Sequence, residues 1–88
     1  MTQNPLLQCL RLIEMLSSSN ATAEVLAVKL EASPATLKRY ISEARLLGAE
    51  IASVRLSGGW VYELRNADLV MTRVRQWIEL EEKRDLTA

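Results

Sequence analysis

The spacing of apolar residues changes at Gly48, and this change constrains the fold of the 88-residue chain more than any other feature. Before Gly48, apolar residues recur every three or four positions, as in helices that bury one face. Across residues 51–64 they follow a period near two, interrupted by Gly58 and Gly59, which is typical of a β-hairpin with a glycine tip. Helical spacing returns over residues 67–85. The sequence therefore predicts a mainly α fold with a small β-hairpin and an additional C-terminal helix.

Three helices precede the hairpin, and their starts carry side chains that cap helices. Asn4 and Ser33 each stand directly before a proline, whose missing amide hydrogen suits the first position of a helix. Thr22 is the cap residue of a short second helix, and only Glu31 and Ala32 turn between it and the third. The predicted elements are a first helix at 5–18, a helix-turn-helix at 22–47, a hairpin at 50–65 and a last helix at 67–85.

Composition excludes most catalytic and metal-binding classes. The chain has no histidine and one cysteine, so Ser-His and Cys-His pairs, an internal disulfide and a zinc site with the usual ligands are not expected. Cys9 is interpreted as a small apolar core residue. The acidic residues near the end alternate with Lys83 and Arg84, as on a solvated helix end. We expect no catalysis, no cofactor and no metal.

Length and hydropathy predict where the chain resides. Eighty-eight residues suffice for one small domain. No stretch reaches the roughly 18 apolar residues that cross a bilayer, and the first ten residues lack the basic opening and cleavage site of a signal peptide. We therefore expect a single cytoplasmic domain without a membrane partner.

Charge is balanced over the whole chain but uneven along it. Residues 29–75 hold eight basic and five acidic side chains, a net charge of +3, whereas residues 76–88 hold two basic and four acidic ones, a net charge of −2. The middle of the chain is thus its basic part, and it contains the predicted third helix and hairpin. A basic region of this kind is compatible with a nucleic-acid partner despite the net charge of zero.

The third helix carries opposed faces. One is apolar and consists of Leu37, Tyr40, Ile41, Ala44 and Leu47. The other is short or basic and consists of Ala35, Lys38, Arg39, Ser42 and Arg45. These cations could be only the wet side of an amphipathic helix, but short and flexible polar side chains are also what a helix needs to approach base edges in the major groove.

The stretch from Thr22 to Leu64, about half of the chain, resembles a winged helix-turn-helix of the kind that opens DeoR-like and WYL-type bacterial transcription regulators. The shared positions are Ala27, Leu30, Ser33, Thr36, Leu37, Ile41, Gly48, Ile51, Tyr62 and Leu64. Glu31 departs from the pattern, since many members have glycine in this turn. The resemblance implies a DNA-binding protein of a bacterium or phage. No ligand-binding domain follows Leu64, so inducer control by an attached domain is not expected.

A reader of double-stranded DNA would use the third helix and the hairpin together. We assign Lys38 and Arg39 to base edges or nearby phosphates, Arg45 to a phosphate, and Arg55 to the backbone or the minor groove. Capped helix starts offer amides and hydroxyls to phosphates. The candidate DNA-binding residues are Thr22, Ser33, Ala35, Thr36, Lys38, Arg39, Ser42, Arg45, Arg55 and Gly58. Trp60 either covers the hairpin or stacks on a sugar or base.

Helices one and four carry more apolar surface than a three-helix core and a hairpin can cover. We therefore predict a homodimer joined by these two helices, with Leu12, Val70, Val74, Trp77 and Ile78 at its interface. The alternative is that helix four folds back onto helix one within a monomer.

The leading functional hypothesis is a sequence-specific transcriptional regulator that represses by occupying an operator. Two alternatives stay open at this point. One is an architectural or recombination accessory factor that bends DNA, and the other is a winged-helix adaptor that binds another protein.

Overall fold

The computed structural model describes residues 4–87, with side chains up to Arg84. Its elements are α1 (Pro5–Ser18), α2 (Ala23–Leu30), α3 (Pro34–Leu46), β1 (Ile51–Leu56), β2 (Gly59–Leu64) and α4 (Ala67–Thr87). The predicted class, mainly α with a small hairpin and an additional C-terminal helix, is confirmed. The predicted α1 boundaries agree with the structure, and α3 ends at Leu46 where Leu47 was predicted.

Side-chain caps fix the three helix starts that the sequence predicts. In each case the cap oxygen accepts a hydrogen bond from the backbone N–H three residues later, which satisfies a donor that the helix itself leaves unpaired. The bonds are Leu7 to Asn4 at 3.2 Å, Val25 to Thr22 at 3.2 Å and Thr36 to Ser33 at 3.1 Å. Because these contacts are local, the register of each helix follows directly from the chain.

The turn between α2 and α3 contains a left-handed residue. Glu31 has φ 53° and ψ 45°, and Ala32 donates its backbone N–H to the carbonyl of Ala27 at 2.9 Å. Glycine adopts this conformation without strain. A residue with a Cβ pays roughly 1–2 kcal/mol for it.

Helix α1 packs against α4, α3 and the second strand, and its buried side chains form the centre of the core. This packing corrects the choice of residues that were predicted to form a homodimer interface. Leu12, Val70, Val74 and Ile78 are buried within the chain, and Trp77 is half-buried against the same core. The sequence argument assumed that the two apolar helices needed an external partner, but each covers the other.

Polar contacts also tie the C-terminal part of α4 to the start of α1. Asn4 donates from Nδ2 to Oε2 of Glu81 at 2.8 Å, and Arg11 pairs with Glu82 at 3.4 Å. Glu81 is only 8% exposed and also accepts from Arg84 at 3.0 Å. The Asn4 side chain therefore caps α1 and anchors α4 at once.

The two strands pair antiparallel from Ile51 opposite Leu64 to Leu56 opposite Gly59, with Ser57 and Gly58 between them. Tyr62 extends the pairing to a single residue before α2, since its N–H donates to the carbonyl of Ala21 at 2.8 Å. This bridge fixes the hairpin beside the first turn of α2.

Across residues 4–87, no helix has both the length and the apolar character that crossing a membrane requires.

At the base of the hairpin, Asn66 connects the strands to the end of α3. Its Nδ2 donates to the carbonyl of Gly48 at 2.8 Å, and its Oδ1 accepts from the N–H of Glu50 at 2.9 Å. Gly48 has φ 108°, a conformation that favours glycine, and this confirms its predicted role in ending the helix. The hairpin is thereby held at both its base and its second strand.

Candidate nucleic-acid interface

Helix α3 separates its residues as the periodicity predicts. Leu37, Tyr40, Ile41 and Ala44 are buried in the core. Ala35, Lys38, Arg39 and Ser42 are exposed on the opposite side. Leu46 is also exposed, at the C-terminal end of this outward face, and the sequence reasoning did not single it out. Glu43 is also exposed, one turn beyond Arg39, so the outward face carries both signs of charge and ends in one apolar side chain.

Three basic side chains of α3 and the hairpin have no ionic partner among the described residues. Among the described residues, Lys38, Arg39 and Arg55 form no ion pair and no hydrogen bond, whereas Arg65 pairs with Glu63 at 3.3 Å at the base of the hairpin. An unpaired, exposed cation keeps its full capacity to bind a phosphate or a base edge. The contacts of these three residues therefore leave them available for the DNA binding that the sequence predicts.

Arg45 has a different environment from the one its predicted phosphate contact requires. Its Nε and Nη2 both donate to the carbonyl of Ile51, at 3.1 and 2.9 Å. The side chain therefore joins the end of α3 to the first residue of β1. We reassign Arg45 to the support of the hairpin, because two of its five N–H groups are held on this backbone carbonyl.

The hydroxyls at the two helix starts act as caps. Ser33 accepts from the Thr36 N–H and donates to the Thr36 Oγ1 at 2.9 Å. Thr22 accepts from the Val25 N–H at the start of α2. The hydroxyls of Thr22 and Thr36 only accept in these bonds, so each keeps an O–H group that can donate to a phosphate, whereas the N–H groups of Val25 and Thr36 are already bonded to the caps.

The hairpin tip presents a cation beside an aromatic ring. Arg55 and Trp60 are partners across the two strands, and the Arg55 Cζ lies 5.8 Å from the centre of the Trp60 ring. Trp60 is 59% exposed, so it is not mainly a cover for the hairpin, and Gly58 is exposed beside it. The pair brings positive charge and a flat apolar surface together at the end of the hairpin.

A continuous groove connects the tip of the hairpin to α3. One part, of about 340 Å³, lies between Thr22–Glu24 and the hairpin residues Ser53 and 58–62. The other, of about 150 Å³, is bordered by α2, by Tyr62 and by Lys38 of α3. Both parts are lined by Ala23, Glu24 and Tyr62, so they adjoin. Thr22, Lys38 and Gly58 of the predicted site therefore border one concave surface.

Glu24 is the residue of this groove that sequence reasoning missed as a functional group. Its position in the first turn of α2 favours a carboxylate because of the helix dipole. It lines both parts of the groove and, within the described part of the chain, forms no hydrogen bond or ion pair. The cap at Thr22 could have placed Glu24 on this helix start, but only the fold brings the hairpin opposite it.

The remaining reactive groups are few. Burial raises the pKa of the Cys9 thiol to about 11, and the nearby Glu43 carboxylate adds to the increase. The thiol is therefore protonated at neutral pH and behaves as the apolar core residue that was predicted. Between residues 4 and 84, no three acidic, cysteine or histidine side chains come together as metal ligands would.

Comparisons with known proteins identify no relative of this chain. No protein-family model matches the chain, no curated protein is similar to it at a significant level, and no solved structure matches its fold significantly.

Proposed function

We propose that this chain is a winged helix-turn-helix protein that binds double-stranded DNA and regulates transcription, with α3 as its recognition helix. One observation carries the proposal: the outward face of α3 is exposed and bears cations that no other described side chain engages, while its inward face is fixed in the core. A rigid helix with a free basic face has the form that major-groove readers use.

The side chains of this face suit a close approach to DNA. Ala35 and Ser42 are short, so the α3 backbone can approach the floor of the major groove. Lys38 and Arg39 would then reach base edges, where guanine offers two acceptors to a basic side chain. In this arrangement sequence preference comes mainly from Lys38 and Arg39.

The hairpin supplies the second contact. Arg55 and Gly58 lie at its tip, and the groove that begins there continues to Lys38. The tip and the recognition helix can therefore meet the same duplex, with Arg55 on a phosphate or in the minor groove. Because the net charge of the chain is zero, affinity would arise from these local contacts rather than from long-range attraction.

We also propose that the protein represses by occupying an operator, and that it does so in the bacterial cytoplasm. A homodimer would place two recognition helices on half-sites about 34 Å apart. Its interface would have to use surfaces other than Leu12, Val70, Val74 and Ile78, which are buried in the monomer.

Selection from a random duplex pool tests the proposal, and a double variant of α3 identifies the recognition helix. Lys38→Ala with Arg39→Ala is expected to abolish enrichment and to leave the melting temperature within about 2 °C, since both side chains are exposed and unpaired. Each lost base contact typically costs about 1–3 kcal/mol of binding free energy. Arg73→Ala with Arg75→Ala is the matched control, because these exposed cations lie on α4.

The outcomes separate the alternatives. A defined motif lost only in the α3 variant supports the proposed regulator, and a palindromic motif supports the dimer. Weak enrichment by DNA shape, unchanged in the α3 variant, would instead indicate an architectural factor. No enrichment with the wild type would exclude DNA reading and favour the adaptor.

A further inference from the structure

The larger part of the groove has the size and the lining of a small-molecule site. Its volume of about 340 Å³ lies within the range of about 300–1,000 Å³ that ligand pockets occupy. Trp60 and Tyr62 line one wall, Thr22 to Glu24 the other, and Ser53 adds a hydroxyl. The site combines aromatic surface with hydrogen-bonding groups, as recognition sites for small planar molecules do.

Two aromatic residues border this part of the groove from the same strand. Trp60 and Tyr62 are two positions apart on β2, so their side chains leave the same face of the strand. Both line the groove, and Trp60 is 59% exposed. Its flat apolar surface is therefore accessible to a planar ring in the groove.

The charged side chain that lines this part of the groove limits the chemical class of ligand that can bind there. Glu24 is the charged side chain of this part of the groove, and within the described residues it has no partner. A carboxylate repels a phosphate but accepts hydrogen bonds from an amino group, as acidic side chains do from the amino group of cytosine. The lining therefore favours a planar ring that carries an amino group.

We infer that this groove binds a single amino-bearing nucleobase, which stacks at Trp60 and Tyr62 and donates a hydrogen bond to Glu24. The base would be unpaired, because a base in a duplex has no free face for stacking. It would come either from a free nucleoside or from a strand whose base is turned outward. This site is separate from the duplex-reading face of α3 and does not require that face to bind DNA.

Titration of the ¹⁵N-labelled protein with cytidine, with uridine as the matched ligand, tests the site. Cytidine is expected to shift the amide signals of residues 22–24 and 58–62 and to bind at least about fivefold more tightly than uridine, which lacks the amino group. Trp60→Ala should weaken cytidine binding by about 5- to 150-fold, the usual range for the loss of one stacked aromatic. Leu56→Ala is the control, since this exposed residue lies at the same hairpin end outside the groove.

Glu24→Gln tests the carboxylate separately. It should bring the ratio of cytidine to uridine affinity towards one, whereas Glu50→Gln, an exposed carboxylate outside the groove, should leave the ratio unchanged. A single-stranded dC oligonucleotide distinguishes the source of the base. Tighter binding per site than cytidine assigns the groove to a strand, and equal binding assigns it to a free nucleoside.

Two results would overturn the inference. One is the absence of groove shifts with both cytidine and the dC oligonucleotide at 10 millimolar base, on the order of the weakest specific sites. The other is cytidine binding that Trp60→Ala leaves intact. The Arg39→Ala variant, which changes a residue outside both parts of the groove, should bind cytidine as the wild type does, so a failure of DNA reading and a failure of this site can be told apart.

Discussion

The side of the molecule formed by α1 and α4 differs from the side formed by α3 and the hairpin in what its charged groups contact. On the first side, Asn4 and Arg84 bind the buried Glu81, and Arg11 reaches Glu82. On the second side, the exposed cations of α3 and the hairpin tip have no ionic partner among the described residues. Around Glu81 and Glu82 the fold uses charged groups to join the terminal helices, whereas Lys38, Arg39 and Arg55 make no ion pair among the described residues.

A chain with a net charge of zero can still hold cations without ionic partners. On α4, Glu79, Glu81 and Glu82 pair with Lys83, Arg84 and Arg11. An exposed pair of this kind stabilises a protein by at most about 1 kcal/mol. Lys38, Arg39 and Arg55 have no such partner among the described residues, although Glu24, Glu43 and Glu50 are also exposed on α2, on α3 and before β1.

The largest expected effect tests whether the α1–α4 contact belongs to the core of one chain. Leu12→Ala should lower the free energy of unfolding by about 2–5 kcal/mol, because Leu12 is fully buried and its truncation leaves a cavity. The loss, measured by urea denaturation, should be the same at low and high protein concentration. Leu80→Ala on the exposed side of α4 is the control and should change stability by less than about 0.5 kcal/mol.

A dependence of the Leu12→Ala loss on protein concentration would contradict this assignment. It would mean that the residue is covered by a second copy, as the sequence argument predicted. Sedimentation of the wild type at both concentrations shows directly whether a dimer is present, whichever surface forms it.

The next largest effect distinguishes two basic residues of α3, Arg45 and Arg39. Arg45→Met should lower the free energy of unfolding by about 1–2 kcal/mol, because two charged hydrogen bonds to the Ile51 carbonyl are lost. Affinity for a selected duplex should change less than about twofold. Arg39→Met is the matched variant and should show the reverse, with stability retained and DNA binding reduced.

If Arg45→Met reduced DNA affinity as strongly as Arg39→Met at a temperature where both variants are folded, the reassignment of Arg45 would be wrong. Its guanidinium would then leave the Ile51 carbonyl when DNA binds.

The elements could be predicted from the sequence because their signals are local. Asn4, Thr22 and Ser33 cap helices through contacts three residues away, and Gly48 ends a helix through its own backbone conformation. The change of period locates the hairpin in the same way. Each of these features depends on neighbours in the chain, so no knowledge of tertiary structure is required.

The partners of those elements could not be predicted in the same way. Periodicity shows that α4 has an apolar face, but not whether α1 or a second copy covers it, and the choice of a second copy misplaced Val74 and Ile78. It also placed Arg45 on the outward face without showing that a long side chain reaches Ile51. Glu24 entered the groove only because the Ala21–Tyr62 bridge brings the hairpin alongside α2.

The smallest expected effect concerns the turn that presents α3. Glu31→Gly should raise the free energy of unfolding by about 0.5–1 kcal/mol, because glycine adopts φ 53° without the cost of about 1–2 kcal/mol that a Cβ brings, while part of the gain is offset by the greater freedom of glycine in the unfolded chain. Glu31→Gln is the matched control: it removes the same charge but keeps the Cβ, so its stability should stay near that of the wild type. Urea denaturation of the three proteins measures the difference. If the glycine variant were no more stable than the glutamine variant, the turn would not be strained at Glu31. The α3 side would then carry no backbone strain that the α1–α4 side lacks.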